Sequence, residues 1–336
     1  MKHLFFALST ISCTAIFAQE KQVLQFSEKG TFRIAQITDT HFNSNHENAE
    51  TPKERIKMIN TVLDAEKPDF VIYTGDNVNN SSLKDWDIIA APCIQRKIPW
   101  AFIFGNHDDE FQQSREAIMD YVTQMPYCYA EYGPKEIGGA GNYVLPVHSR
   151  GKSTPDVLLY CFDNAYKVPH QPQCASGPVG WFSADQIQWY REKSREYAAQ
   201  NHGNPVPALA FFHVPLDEYV QISAFPKETK MVGRKGEKEC VGILNSGLFQ
   251  AMLERGDVMG TFCGHDHEND YIGILHGIAL AYGRSACQRK PYGARLVEVT
   301  NSGKKTFKTW IRLSTNEKIN EVFYEHDAPN APEKNR

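Results

Sequence analysis

Two observations predict an α/β fold. Short apolar runs, bounded by turn residues, recur along the chain and read as buried strands. Several end in a polar loop that leads into a helical stretch, with carboxylates, amides or imidazoles at the run's C-terminal end. That is the alternation of an α/β sheet, whose sites collect beyond the ends of its strands. At 41% hydrophobic and 23% charged, the 336 residues have the composition of an ordinary globular chain with a substantial core. No internal repeat or linker divides them.

The elements follow in order. Lys2 and His3 precede an apolar stretch from Leu4 to Phe17, and Ala18 supplies a small residue before Gln19. This reads as a secretory signal over 1–18, cleaved after Ala18, and predicts a periplasmic or secreted protein. The stretch is too short for a membrane span. Cys13 offers lipoprotein processing as an alternative, but Thr10-Ile11-Ser12 is a poor lipobox. One domain is expected over 19–320, followed by a loose C-terminal tail over 321–336.

Within that domain, Phe32–Ile37 reads as a strand that stops at Thr38-Asp39-Thr40-His41. Thr51-Pro52-Lys53-Glu54 reads as a helix start, with Thr51 as the cap and Ile56, Ile59, Val62 and Leu63 as the apolar face. Phe70–Tyr73 is the next strand and runs into Thr74-Gly75-Asp76-Asn77. A helix over Leu83–Arg96 leads to the strand Trp100–Phe104 and to Gly105-Asn106-His107-Asp108, where Gly105 permits a sharp turn.

Strands are expected at Asn142–Val147 and Val157–Phe162, and a helix at Ser183–Ala199. Pro207–Phe212 delivers His213, and a polar loop follows over Asp217–Val241. A short helix at Leu248–Leu253 precedes the strand Val258–Cys263, which ends in Gly264-His265-Asp266-His267. The runs Tyr271–Leu275, Ile278–Ala281, Ala294–Val299 and Thr306–Leu313 alternate with glycine turns and suggest a closing antiparallel set.

Composition also excludes functions. A net charge of −4, with no basic cluster interleaved with aromatics, argues against a nucleic-acid surface. The eight cysteines include no Cys-x-x-Cys pair, which removes zinc-ribbon and thioredoxin readings. Cys93, Cys161 and Cys263 sit in apolar runs. Cys128, Cys174, Cys240 and Cys287 sit in loop-like stretches, where an oxidising compartment allows pairing.

The strand-end residues form one chemical set: Asp39, His41, Asp76, Asn106, His107, His213, His265 and His267. Leaving His107 aside, they offer nitrogen and oxygen donors without thiolate, a set that suits Fe, Mn, Zn, Ni or Co. They are too many for one tetrahedral ion and fit two ions sharing a carboxylate, with positions left for water and substrate. Asp108 and Asp266 are candidates for supporting contacts, Asp108 by orienting His107.

Asp39-x-His41, Gly75-Asp76-Asn77, Gly105-Asn106-His107-Asp108, His213 and Gly264-His265-x-His267 resemble the five ordered motifs of the calcineurin-like metallophosphoesterases, over about Gly30 to Leu313. Gly141-Asn142-Tyr143, Trp181 with Gln186-Ile187-x-Trp189, His213-Val214-Pro215-Leu216-x-Glu218-Tyr219 and Asn245-Ser246-Gly247-Leu248-Phe249 are similar to the branch containing purple-acid-phosphatase-like and Dcr2-like phosphatases. The resemblance implies a four-layer α/β/β/α sandwich of two mixed sheets flanked by helices. It implies one ion on Asp39, His41 and His267, another on Asn106, His213 and His265, Asp76 bridging both, and His107 beside the substrate.

The implied reaction is hydrolysis of a small phosphate monoester by a hydroxide that bridges two divalent or mixed-valence ions. A phosphodiesterase or nucleotidase on the same core is the alternative, and a non-catalytic phospho-ligand binding protein a further one. Purple acid phosphatases place an iron-binding tyrosine three residues after the bridging aspartate. Asn79 stands there in this chain, and His41 supplies a ligand those enzymes lack. A colourless site is expected.

Overall fold

Two β-sheets lie face to face in the computed structural model, which describes residues 21–79, 82–111, 113–166, 180–242 and 244–326. The expected leader, its cleavage point and Cys13 lie outside the described residues, as does Cys174. The strands are β1 (Leu24–Gln25), β2 (Thr31–Ile37), β3 (Phe70–Thr74), β4 (Trp100–Ile103), β5 (Tyr143–His148), β6 (Val157–Cys161) and β7 (Ala208–Phe211). They continue with β8 (Val258–Cys263), β9 (Ile272–Leu275), β10 (Ile278–Tyr282), β11 (Gly293–Thr300), β12 (Thr306–Leu313) and β13 (Lys318–Glu325). The helices are α1 (Glu50–Glu66), α2 (Leu83–Arg96), α3 (Arg115–Val122), α4 (Ala184–Gln200), α5 (Glu218–Ala224) and α6 (Leu248–Arg255).

One sheet has seven strands in the order β1-β5-β6-β7-β8-β10-β9, the other six in the order β13-β12-β11-β2-β3-β4. Both are mixed. In the second sheet β2, β3 and β4 run parallel, so their polar ends emerge on one rim. In the first, β6, β7 and β8 are parallel and deliver their ends to the same place. Strand β3 shows how the layers are divided by alternation. Tyr73 points outward and donates its hydroxyl to the Ile89 carbonyl of α2 at 2.7 Å. Thr74 points inward, where its Oγ1 and the Cys263 carbonyl of β8 both accept from Gln36 Nε2, at 3.0 and 2.9 Å. Between the sheets Phe262 meets Phe307, with ring centroids 5.9 Å apart. Outside the first sheet, Tyr190 of α4 packs its ring against Tyr160 of β6, 5.1 Å between centroids. The order is helices, sheet, sheet, helices.

Several expectations change. Helix α1 begins at Glu50, and Asn48 Oδ1 rather than Thr51 accepts the Glu50 amide, at 3.1 Å. The expected single closing set is divided: β9 and β10 finish the first sheet, while β11, β12 and β13 finish the second. Strand β13 carries the domain to Glu325, past the boundary expected at 320; residues beyond 326 lie outside the described set. It escaped notice because it is an edge strand, largely polar and exposed, with Tyr324 as its buried residue. Helix α5 occupies part of the stretch read as a loop, and α3 and β1 are too short for their periodicity to register. Cys128 is buried, and Cys93, Cys128, Cys161, Cys263 and Cys287 are all thiols.

Candidate metal centre

The site forms where the parallel strands of both sheets end on a common rim. The chain must turn away sharply there, and three of the turning residues are functional side chains held at left-handed φ: Asp39 at 53°, Asp76 at 50° and His265 at 76°. His41 is a fourth, at 39°. Such backbone costs energy for any residue but glycine, and clusters where function demands a fixed side-chain direction. The strand ends also hydrogen-bond to one another. The Asp39 amide donates to the Gly75 carbonyl at 3.1 Å and the His41 amide to the Asp76 carbonyl at 2.8 Å.

Two glycines allow these ends to come so close. A Cβ on Gly75 would lie 2.3 Å from His213 Nδ1. One on Gly105 would lie 2.1 Å from both the Asp76 amide nitrogen and its Oδ1. The sharp turn expected at Gly105 thus needs glycine for the close approach of Asp76.

Asp76 is at the centre. Its Oδ2 lies 3.2 Å from His213 Nε2 and 3.5 Å from His41 Nε2, and its Oδ1 accepts the His107 amide at 2.9 Å. On one side, Asp39, His41, Asp76 and His267 place a donor atom each within 4.8 Å of the others; on the other, Asp76, His213 and His265 do the same. His267 Nε2 is 3.5 Å from Asp39 Oδ1, and the rings of His213 and His265 sit 5.1 Å apart. His213 donates from Nδ1 to the Thr74 carbonyl at 2.9 Å, which turns Nε2 toward Asp76. Asp39 Oδ2, Asn106 Oδ1 and His265 Nε2 are buried without a hydrogen-bond partner. Buried polar atoms left orphaned at one point are costly unless something electropositive completes them. The donor set therefore fits two cations with Asp76 common to both.

Burial pushes the imidazole of His41 down to about 4 and that of His265 to about 3. It opposes a proton on His213 and His267 as well, but Asp76 lifts His213 to about 9, and the bond His267 donates to Asp39, with help from Cys287, lifts His267 to about 12. Burial also works against ionised Asp39 and Asp76. Even so, His267 holds Asp39 below its ordinary range, and His213 and His41 hold Asp76 well below it. Two ionised carboxylates thus face two imidazolium cations, and an ion entering the site displaces those protons.

His107 stands at the mouth, its ring 5.2 Å from that of His41. Asp108 does not orient it. That carboxylate is fully buried and accepts from the amides of Gly105, Asn77 and Val78 at 2.7, 2.8 and 2.9 Å, tying two strand ends together. Burial raises it to about 6. The partner of His107 is Glu110, whose Oε2 lies 2.6 Å from Nδ1. Asp266 is likewise buried, accepting from the Tyr282 hydroxyl at 2.6 Å and from the Cys240 amide, and burial lifts it to about 7. It braces the loop between His265 and His267.

Sequence reasoning missed Glu110 and Arg115. Glu110 follows no strand, and its one signal is its position three residues after His107. Arg115 reads as a surface charge at a helix start, yet it is buried against Asp163 and donates to the carbonyls of Gly105 and Ala165, both at 2.9 Å.

The fold and the paired donor groups define a dinuclear metal-dependent class of phosphoesterase. The family model described as calcineurin-like phosphoesterase matches residues 32–269, and the chain belongs to that family. It is 32% identical to a protein of Arabidopsis thaliana named "Probable inactive purple acid phosphatase 29", over 91% of this chain and 87% of that protein. It is 28% identical to Phosphatase DCR2 of Saccharomyces cerevisiae, over 90% of this chain and 57% of that protein. A crystal structure of a dimetal phosphatase from Danio rerio shares the fold with a TM-score of 0.62 at 12% identity, covering 88% of this chain and 99% of that one.

Proposed function

We propose that the chain is an exported phosphomonoesterase working with two transition-metal ions, one on Asp39, His41 and His267, the other on Asn106, His213 and His265, with Asp76 shared. The observation that carries the reading is the Asp76 carboxylate, which belongs to both donor groups while its Oδ1 fixes the backbone of His107. Two such ions, when bound, activate water near neutral pH and offset charge on the phosphoryl oxygens. The protein supplies the rest. Asp39 and Asp76 contribute two negative charges against four from two divalent ions, which leaves a positive site suited to a phosphate dianion. Glu110 holds His107 at Nδ1, so Nε2 is the atom that protonates the leaving oxygen or steadies the phosphoryl group. Export rests on the Lys2-to-Ala18 leader.

A non-catalytic binding protein is the second reading, favoured by the word "inactive" in the name of the Arabidopsis relative. Against it stands the positioned His107–Glu110 pair, which binding alone does not need. Metal-loaded protein is expected to hydrolyse p-nitrophenyl phosphate faster than its bis ester. Preference for the bis ester would make it a diesterase, and no hydrolysis of either, across a panel of metals, favours the binding protein. His107→Ala is expected to keep both ions and lose most turnover; an unchanged rate would remove the role of His107.

A further inference from the structure

Cys287 lies beside the first ion site, outside the nitrogen and oxygen set described above. Its Sγ and the ring nitrogens of His41 and His267 are all within 4.8 Å of one another. Donor atoms of one zinc-like ion, with bonds of about 2.3 Å to sulfur and about 2.0 Å to nitrogen, are at most about 4.3 Å apart. Only a small side-chain adjustment would therefore bring all three onto one centre.

The position of Cys287 is built, not incidental to a loop. The segment after β10 is stapled to the strand end that carries Asp39: Ser285 bridges Thr38, and the Ala286 amide donates to the Thr38 carbonyl at 3.2 Å. Arg284 anchors the segment through Asp270 at 2.7 Å. The Cys287 amide then donates to Ser285 Oγ at 3.2 Å, which turns the side chain back, with Sγ itself 3.2 Å from that hydroxyl. Arg55, itself buried, donates to the His41 carbonyl and so fixes the strand end that faces Cys287. A second, independent sign of an electropositive occupant is Asp39 Oδ2, fully buried and without a partner in the same site.

We infer that Cys287 is an additional, thiolate ligand to the ion of the Asp39–His41–His267 site. Binding forms a sulfur–metal bond and breaks the S–H bond, and the proton leaves to solvent. The soft donor biases that site toward Zn, Co or Fe and away from Mg or Mn, and it removes one positive charge from that half of the centre. The inference rests on the two-ion reading of the site.

Cobalt(II) loading of the full chain tests it. A sulfur-to-cobalt charge-transfer band is expected in the near ultraviolet, lost in C287S while the visible d–d bands remain, and one of the two cobalt ions should bind at least about tenfold more weakly in that variant. In the unmutated protein, alkylation of Cys287 read by peptide mass spectrometry should be suppressed by metal loading, which covers the case of a C287S chain that does not fold. Two bound cobalt ions with no charge-transfer band, a band that persists in C287S, or equal alkylation with and without metal would each overturn the assignment of Cys287 alone. Failure to bind cobalt at all would overturn the two-ion reading with it.

Discussion

Replacing Glu110 separates the work of His107 from that of the ions. The Oε2-to-Nδ1 contact is 2.6 Å, and the two side chains are 29% and 32% exposed. A hydrogen bond to a charged partner contributes about 1.5–3 kcal/mol, a neutral one about 0.5–1.5. Solvent screening at this exposure puts the pair at the low end. Glu110→Gln keeps the length and an acceptor but loses the charge, so about 1 kcal/mol of positioning is lost, or about fivefold in kcat. Glu110→Ala removes the bond altogether, about 1.5 kcal/mol and about tenfold. Both should stay well above His107→Ala, since acid–base catalysis is worth about 10²–10⁴. The assay is kcat and KM on p-nitrophenyl phosphate, with metal content measured on the same samples. The loss should fall on kcat with two ions still bound. Wild-type kcat in Glu110→Ala would refute the positioning argument, and a loss explained by metal content would mean that Glu110 acts on the ions instead.

Three further outcomes follow from the site. Asp76→Asn should strip ions from both positions, because its carboxylate is common to both donor groups; full two-ion occupancy by elemental analysis would count against sharing. Loading at pH 7 should release about two protons from the histidines, one each from His213 and His267, whose folded values of about 9 and about 12 lie above that pH, in addition to the one lost by Cys287 on binding. These raised values mean that both histidines' pairing with Asp76 and Asp39 stabilises the metal-free fold fully below about pH 6.5. That contribution fades as pH rises through about 9 and then about 12, while affinity for metal rises over the same climb. Calorimetry in buffers of different ionisation enthalpy measures the protons, and a release near zero contradicts the assignment. Arg115→Met leaves Asp163 buried and unpaired, a loss of about 3–5 kcal/mol by the usual cost of breaking a buried pair, read from denaturant unfolding. A change under about 1 kcal/mol would show that Asp163 is satisfied elsewhere.

Much of the centre is legible in the chain because a buried parallel strand must shed its polar groups at its end. Val258–Cys263 and Phe70–Thr74 are buried throughout, so the histidines and carboxylates after them stand out against apolar sequence. The supporting residues follow no such rule. Arg115, Glu110 and Cys287 lie in loops or at a helix start; Arg115 and Cys287 act through contacts with distant segments, and Glu110 through a local turn that brings it back to His107. Arg115 meets Asp163 across 48 positions of sequence. Strand β13 was illegible for a different reason, since an edge strand half in water need not be apolar.

The sequence by itself determined which side chains carry the chemistry and the order in which the strand ends present them, because periodicity and burial are local properties. The tertiary structure decided what those ends do together. It put Asp76 within reach of both His213 and His41, gave Gly105 its purpose in the close approach of two loops, and turned Asp108 into a tie between strand ends. It also gave His107 its partner in Glu110. Apart from that local His107–Glu110 pair, these are distances between segments, fixed when two sheets pack, and no single stretch of chain contains them.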